Sequence, residues 1–278
     1  MRKILMVCLV LSVSVLGACS SVQTRSGKNE KKQDPAEINT QLGIEYMREG
    51  MYESSMEKLK KAIKQNPNYQ LSHTSIAILY EKLGEDKLAD KHYRKAYNLN
   101  RRDSLTLNNY GQFLCRSGRL EEADKMFLAA LKDPLYRYPE MVYTNAGICA
   151  RKRPDIELAD KYFRTALQVN PQYKPALREM IRSSFSQQKY LAARAYLQRL
   201  QEVEALTPEF LWIGVRTEAA LDDRDTMASY ALVLKNQHPE SDETQALVPV
   251  SYTHLRAHET YLLISYAVFC LKRGGGGG

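Results

Sequence analysis

The chain has 278 residues, 44% of them apolar, and a formal charge of +8. That apolar content is enough for a packed core and excludes wholesale disorder, while a mean hydropathy of −0.46 excludes a multi-span membrane protein. The two ends supply Arg2, Lys3, Arg256, Lys272 and Arg273 against only Glu259, half of the basic excess, so the charge is weak evidence for nucleic-acid binding.

Residues 1–18 have the layout of a targeting segment. Met1-Arg2-Lys3 is positive, and Ile4 to Leu16 is an apolar run too short to span a bilayer as a stable helix. The segment ends in Leu16-Gly17-Ala18-Cys19, which resembles the bacterial lipobox. That resemblance implies cleavage before Cys19 and a thioether-linked diacylglycerol on its sulfur, usually with an added N-acyl chain, giving firm anchoring because several chains insert together. In the sorting rule that goes with it, Ser20 favours the outer membrane. The competing reading is an ordinary secretory signal followed by a chance cysteine. Residues 19–35 carry almost no apolar side chains after Cys19 and read as a flexible tether.

Residues 36–248 repeat. Leu42-Gly43-x-x-Tyr46, Tyr110-Gly111-x-x-Leu114 and Ala146-Gly147-x-x-Ala150 are related phrases. Ala123, Phe127 and Ala130 follow Gly111 at the same intervals as Ala159, Phe163 and Ala166 follow Gly147, and Pro67 and Pro171 close two units. This is the tetratricopeptide pattern, with a period of about 34 residues. Units beginning at 36, 70, 104, 140, 174 and about 209 place Ser55, Ala89, Ala123, Ala159, Ala193 and Ala228 where two helices touch, with Trp212 at the aromatic position of the sixth. The expected fold is all-α, a superhelix of six helix pairs whose first helices line a concave groove. Unit 3 carries two extra residues around Pro134 to Pro139, and in unit 5 Ile181 replaces the glycine.

The sixth position of each unit should face that groove. Asn109 and Asn145 occupy it in units 3 and 4, and an amide can pair with a peptide backbone as donor and acceptor at once; the alternative is an asparagine bonded to a neighbouring helix. Gln41, Ser75, Glu179 and Gly214 take the other sixth positions. Ile44, Met47, Leu71 and Ile78 should line the amino-terminal part of the groove, either as a surface for an amphipathic partner segment or as packing between repeats. Cys115 and Cys149 fall at nearly equivalent turns of two first helices; in an oxidising compartment they form a disulfide, or else they are two buried thiols.

Little in this region points to catalysis. His73, His92 and His238 are read as lying in separate units without ligand spacing, and HxxxH, CxxC, P-loop and G-x-S-x-G patterns are absent. Glu121-Glu122 and Asp222-Asp223 suit helix starts. No metal, cofactor, nucleic acid or small-molecule substrate is expected, and no enzyme.

Residues 249–278 change character. Pro249 to Thr260 resembles a translated transposase-type sequencing adapter, Ile264 to Leu271 the flow-cell end of the same adapter, and Gly274 to Gly278 a poly-G read. On that reading the segment is foreign to the protein, whose own sequence continues beyond about Val248. The alternative is an apolar helix from Tyr261 to Leu271 with a glycine tail.

Asn109-Tyr110-Gly111-Gln112-Phe113-Leu114-Cys115-Arg116-Ser117-Gly118-Arg119, with Asp133-Pro134-Leu135-Tyr136, Pro139 and Tyr143-Thr144-Asn145-Ala146-Gly147-Ile148-Cys149, resembles a specific family. Together with the lipobox and the six repeats, these stretches are similar to the type IV pilus biogenesis/stability lipoproteins, the tetratricopeptide pilotins. The resemblance spans about residues 19–248. It implies a non-catalytic outer-membrane lipoprotein, facing the periplasm, that binds the pilus secretin subunit and promotes its localisation and assembly into a ring. A second class, a lipid-anchored regulator of a cell-wall synthase, uses the same parts.

Overall fold

The computed structural model describes residues 34–153 and 155–247. The expected signal segment, the expected lipidation site Cys19, nearly all of the expected tether and the tail expected to be foreign lie outside the described residues.

Among the described residues there are thirteen helices and no strand. Twelve of them form six pairs: α1 (Pro35–Arg48) with α2 (Tyr52–Gln65), α3 (Gln70–Lys82) with α4 (Asp86–Leu99), α5 (Ser104–Arg116) with α6 (Leu120–Ala130), α7 (Pro139–Ala150) with α8 (Ile156–Val169), α9 (Lys174–Ser186) with α10 (Tyr190–Gln201), and α11 (Pro208–Ala220) with α12 (Arg224–Gln237). A short α13 (Asp242–Leu247) packs on the last pair. Each first helix also touches the next first helix, which is the tetratricopeptide superhelix.

The helix spacing explains the packing. In α8, Ala159, Phe163, Ala166 and Leu167 recur at helical intervals and are buried, giving one apolar stripe and a polar back. Asp155 starts this helix by accepting a hydrogen bond from the Leu158 amide, as Asp103 does for α5 through Thr106. In the first three pairs the turn between helices needs a left-handed residue and uses Gly50, Gly84 and Gly118, with φ of 75–78°.

Within a pair, a small residue on the first helix faces a large one on the second. Phe127 lies against Gly111, and Phe163 against Gly147, closely enough that a methyl group at either glycine would collide with the ring. Unit 5 solves the same contact differently, with buried Ile181 on the first helix and buried Ala193 and Leu197 on the second.

The sixth unit is shifted from its expected register. Gly214 meets Tyr230 at the spacing of Gly111 and Phe127, so Gly214 is the inter-helix contact and not a groove position. Ala228 is exposed, and Met227 and Tyr230 bury themselves instead. Phe210, 2% exposed, is the core aromatic, while Trp212 is only partly buried. A tryptophan is a stronger pattern element than a phenylalanine, and it drew the alignment off by two residues.

Neighbouring first helices are joined by short polar pairs in the buried interior. Thr40 and Ser72 hydroxyls meet at 2.7 Å, and so do those of Thr74 and Thr106. Such pairs satisfy both groups away from water and fix the offset between repeats.

Candidate functional site

The first helices of units 1 to 3 enclose a concavity of about 520 Å³ lined by residues that include Ile44, Met47, Leu71, Ile78, Leu105 and Asn109. Four are the expected apolar groove residues, and Asn109 is the expected polar one. Met47 is almost fully buried and packs with Leu59, Ile76 and Leu79, forming the floor. Leu105, 41% exposed, stands at the rim. Lys82 and Arg48, the latter paired with Glu45 at 2.9 Å, stand at the edge, and Thr74 and Ser75 add hydroxyls to the lining. Leu105 and Lys82 are lining residues that the repeat pattern had not singled out; a register argument for the first helix of unit 3 would have found Leu105.

Asn145 stands apart from this site. Its side-chain amide donates to Asn108 Oδ1 on the preceding first helix, at 2.9 Å, and Asn108 Nδ2 is buried without a hydrogen-bond partner. Asn145 is thus engaged with a neighbouring helix, the alternative arrangement for such an asparagine.

Cys115 on α5 and Cys149 on α7 are bonded to one another, with Cα atoms 5.8 Å apart. The bridge clamps two successive first helices immediately beyond the concavity.

The carboxyl-terminal half of the first-helix face is different in kind. Arg178 forks onto Glu204 at 2.8 and 2.7 Å, and Arg182 forks onto Glu209 at 2.7 and 2.8 Å. Arg182 also bonds Glu179, which pairs with Arg151. The Arg182 guanidinium holds the Glu209 carboxyl below its usual range. These bidentate pairs satisfy one another, whereas the concavity of units 1 to 3 leaves apolar surface with no partner of its own.

The structure corrects the expectation that His73 and His92 lie in separate units. They belong to one unit, and the structure sets their Nδ1 atoms 3.0 Å apart. His73 Nε2 lies 3.0 Å from the Pro67 carbonyl oxygen, which can only accept. Neutral His73 therefore carries its proton on Nε2, and His92 Nδ1–H donates to His73 Nδ1. Burial, and then each other's proximity, pushes His92 down to about 4. Among the described residues no group of three or more His, Cys, Asp or Glu side chains could hold a metal ion.

Comparison with known proteins places this geometry. The tetratricopeptide repeat profile matches residues 36–69 and 72–103. The chain is 32% identical over 237 residues to the type IV pilus assembly protein PilF of Pseudomonas aeruginosa, covering 85% of this chain and 94% of that protein. The solved structure of Pseudomonas aeruginosa PilF superposes with a TM-score of 0.69 at 33% identity, over 76% of this chain and 95% of that one. The crystal structure of PilW, described as a widely conserved type IV pilus biogenesis factor, superposes with a TM-score of 0.69 at 32% identity, over 76% and 96%.

Proposed function

Because the chain belongs to the PilF family of tetratricopeptide-repeat proteins of type IV pilus biogenesis, we propose that it is a non-catalytic docking lipoprotein of the outer membrane, which captures the pilus secretin subunit in the groove of units 1 to 3 and promotes its assembly into a ring. The observation that carries this reading is the contrast along the first-helix face. In units 4 and 5 Arg151, Arg178 and Arg182 are paired with Glu179, Glu204 and Glu209, whereas Ile44, Leu71, Ile78 and Leu105 leave an apolar trough with Asn109 at one side and Lys82 at its edge. An amphipathic segment with a polar or acidic flank fits that combination, its apolar anchors covering the trough.

The remainder of the mechanism is confinement. Acyl chains on Cys19 would hold the protein at one membrane, and the tether would let the groove search a small volume. A client captured there meets other clients at a raised effective concentration, which favours a multimer without any chemistry being performed.

The test is Cys19→Ala. The variant is expected to fold normally but to leave the outer-membrane fraction, with secretin multimers reduced or displaced to the inner membrane. Normal multimers with the variant at its normal place would contradict the anchor.

A further inference from the structure

The loop between α6 and α7 presents an apolar tip inside a basic ring. Asp133 accepts hydrogen bonds from the Leu135 amide, through its side chain at 2.9 Å, and from the Tyr136 amide, through its carbonyl at 3.2 Å. Pro134 fixes the corner between them. The loop is therefore held open, and Leu135 is 90% exposed at its apex, with Tyr138 50% exposed beside it. Tyr136 folds back onto the core and meets Tyr138 edge-on. Beneath the apex is a depression of about 710 Å³ lined by Arg101, Arg102, Ala129, Lys132, Asp133 and Pro134. Arg101, Arg102, Lys132 and Arg137 are exposed and form no ion pair among the described residues. Of the three acids nearby, Asp133 caps the loop, Asp103 caps α5 and accepts from Gln70, and Glu140 on the first turn of α7 is buried.

Topology adds a second argument. In an antiparallel pair, first helices begin and second helices end on the same edge of the array. The chain enters the array at Pro35, the start of α1, so the tether joins on the edge that carries the turns at residues 100–103 and 131–138. An anchor ahead of Pro35 is therefore joined to the chain at this edge.

We infer that this edge is a membrane-contact surface, with Leu135 and Tyr138 entering the interface of an anionic phospholipid bilayer and Arg101, Arg102 and Lys132 receiving lipid headgroup phosphates. The inference rests on the anchor reading above for its orientation, while the surface itself stands on the loop's geometry. A leucine and a tyrosine tipped by cations is the composition that interfacial contacts use: apolar burial gives depth, and basic side chains add attraction that vanishes on a neutral surface.

The experiment uses the purified full chain, whose intact mass reports acylation of Cys19 independently. The chain is mixed with preformed vesicles of phosphatidylcholine alone or with about one-third phosphatidylglycerol, and amide hydrogen exchange is followed over residues 131–138. Slower exchange of Leu135, Tyr136, Arg137 and Tyr138 is expected with phosphatidylglycerol only. Arg101→Gln, Arg102→Gln and Lys132→Gln together should weaken that protection at least ~30-fold, and Leu135→Ser should reduce it, both with unchanged helix content because all four residues are exposed. Equal exchange on the two vesicles, protection indifferent to these substitutions, or protection that arises only on adding secretin subunits would each overturn the inference. A chain found without acyl groups whose loop is still protected would refute the anchor and leave the surface standing.

Discussion

Phe163 fills the space that a side chain at Gly147 would need: a Cβ built there would lie 2.5 Å from the ring edge. The same relation joins Gly111 to Phe127 at 2.7 Å. Gly147→Ala would gain up to ~1 kcal/mol of helix propensity, but it forces a fully buried ring to move, at ~1–3 kcal/mol. Packing should win, so Gly111→Ala and Gly147→Ala are each expected to lower stability in urea denaturation. Gly43→Ala should lower stability as well, because its Cβ would meet the branch carbon of fully buried Leu59 at 2.6 Å and the Leu59 backbone nitrogen at 3.4 Å.

Reduction of the Cys115–Cys149 bridge frees a loop of 34 residues. Cross-links of that span stabilise by roughly 2–4 kcal/mol, mostly by restricting the unfolded chain. Cys115→Ala with Cys149→Ala should therefore lower the urea midpoint while leaving the helical circular dichroism at low denaturant intact.

The two asparagines should separate experimentally. Asn145→Ala leaves buried Asn108 without its donor, at a cost of about 1–3 kcal/mol, and is expected to act on stability. Asn109→Ala touches only the trough and is expected to weaken client binding at unchanged stability. Titration of a labelled client segment, paired with denaturation curves, distinguishes these effects.

The histidine pair predicts a pH dependence. In the unfolded chain a histidine takes its proton near pH 6.5, whereas folded His92 resists it down to about 4, and burial also lowers His73. Between those values the unfolded state binds more protons, so stability falls as pH falls, by about 2 kcal/mol between pH 7 and pH 5. Thermal unfolding should show the loss, and His92→Gln should flatten it.

Much of this fold could be read from residues in series. The small–large spacing from Gly111 to Phe127 and from Gly147 to Phe163 is a direct record of two helices touching, and all six pairs begin within a residue of the repeat starts, with the internal register kept in the first five. The sixth failed because Trp212 imitates the aromatic position that Phe210 occupies. Ile44, Met47, Leu71, Ile78 and Asn109 come together in one trough because first-helix positions recur with the repeat. Asn145 obeys the same spacing, yet it turns to Asn108, a pairing between side chains 37 residues apart that no periodicity encodes. The His73–His92 contact and the apex at Leu135 escaped for the same reason: each depends on side-chain direction and on a loop held by Asp133, not on repeat position.

The central claim is that the trough of units 1 to 3 holds the pilus secretin subunit. Photo-crosslinking from Leu71 and Ile78 in intact, piliated cells addresses it directly, with Leu232 on α12, which is 60% exposed, as the control position. The account predicts a single dominant adduct containing the secretin subunit from both groove positions and none from Leu232. Adducts that contain a cell-wall synthase instead, or secretin adducts equally strong from Leu232, would contradict it.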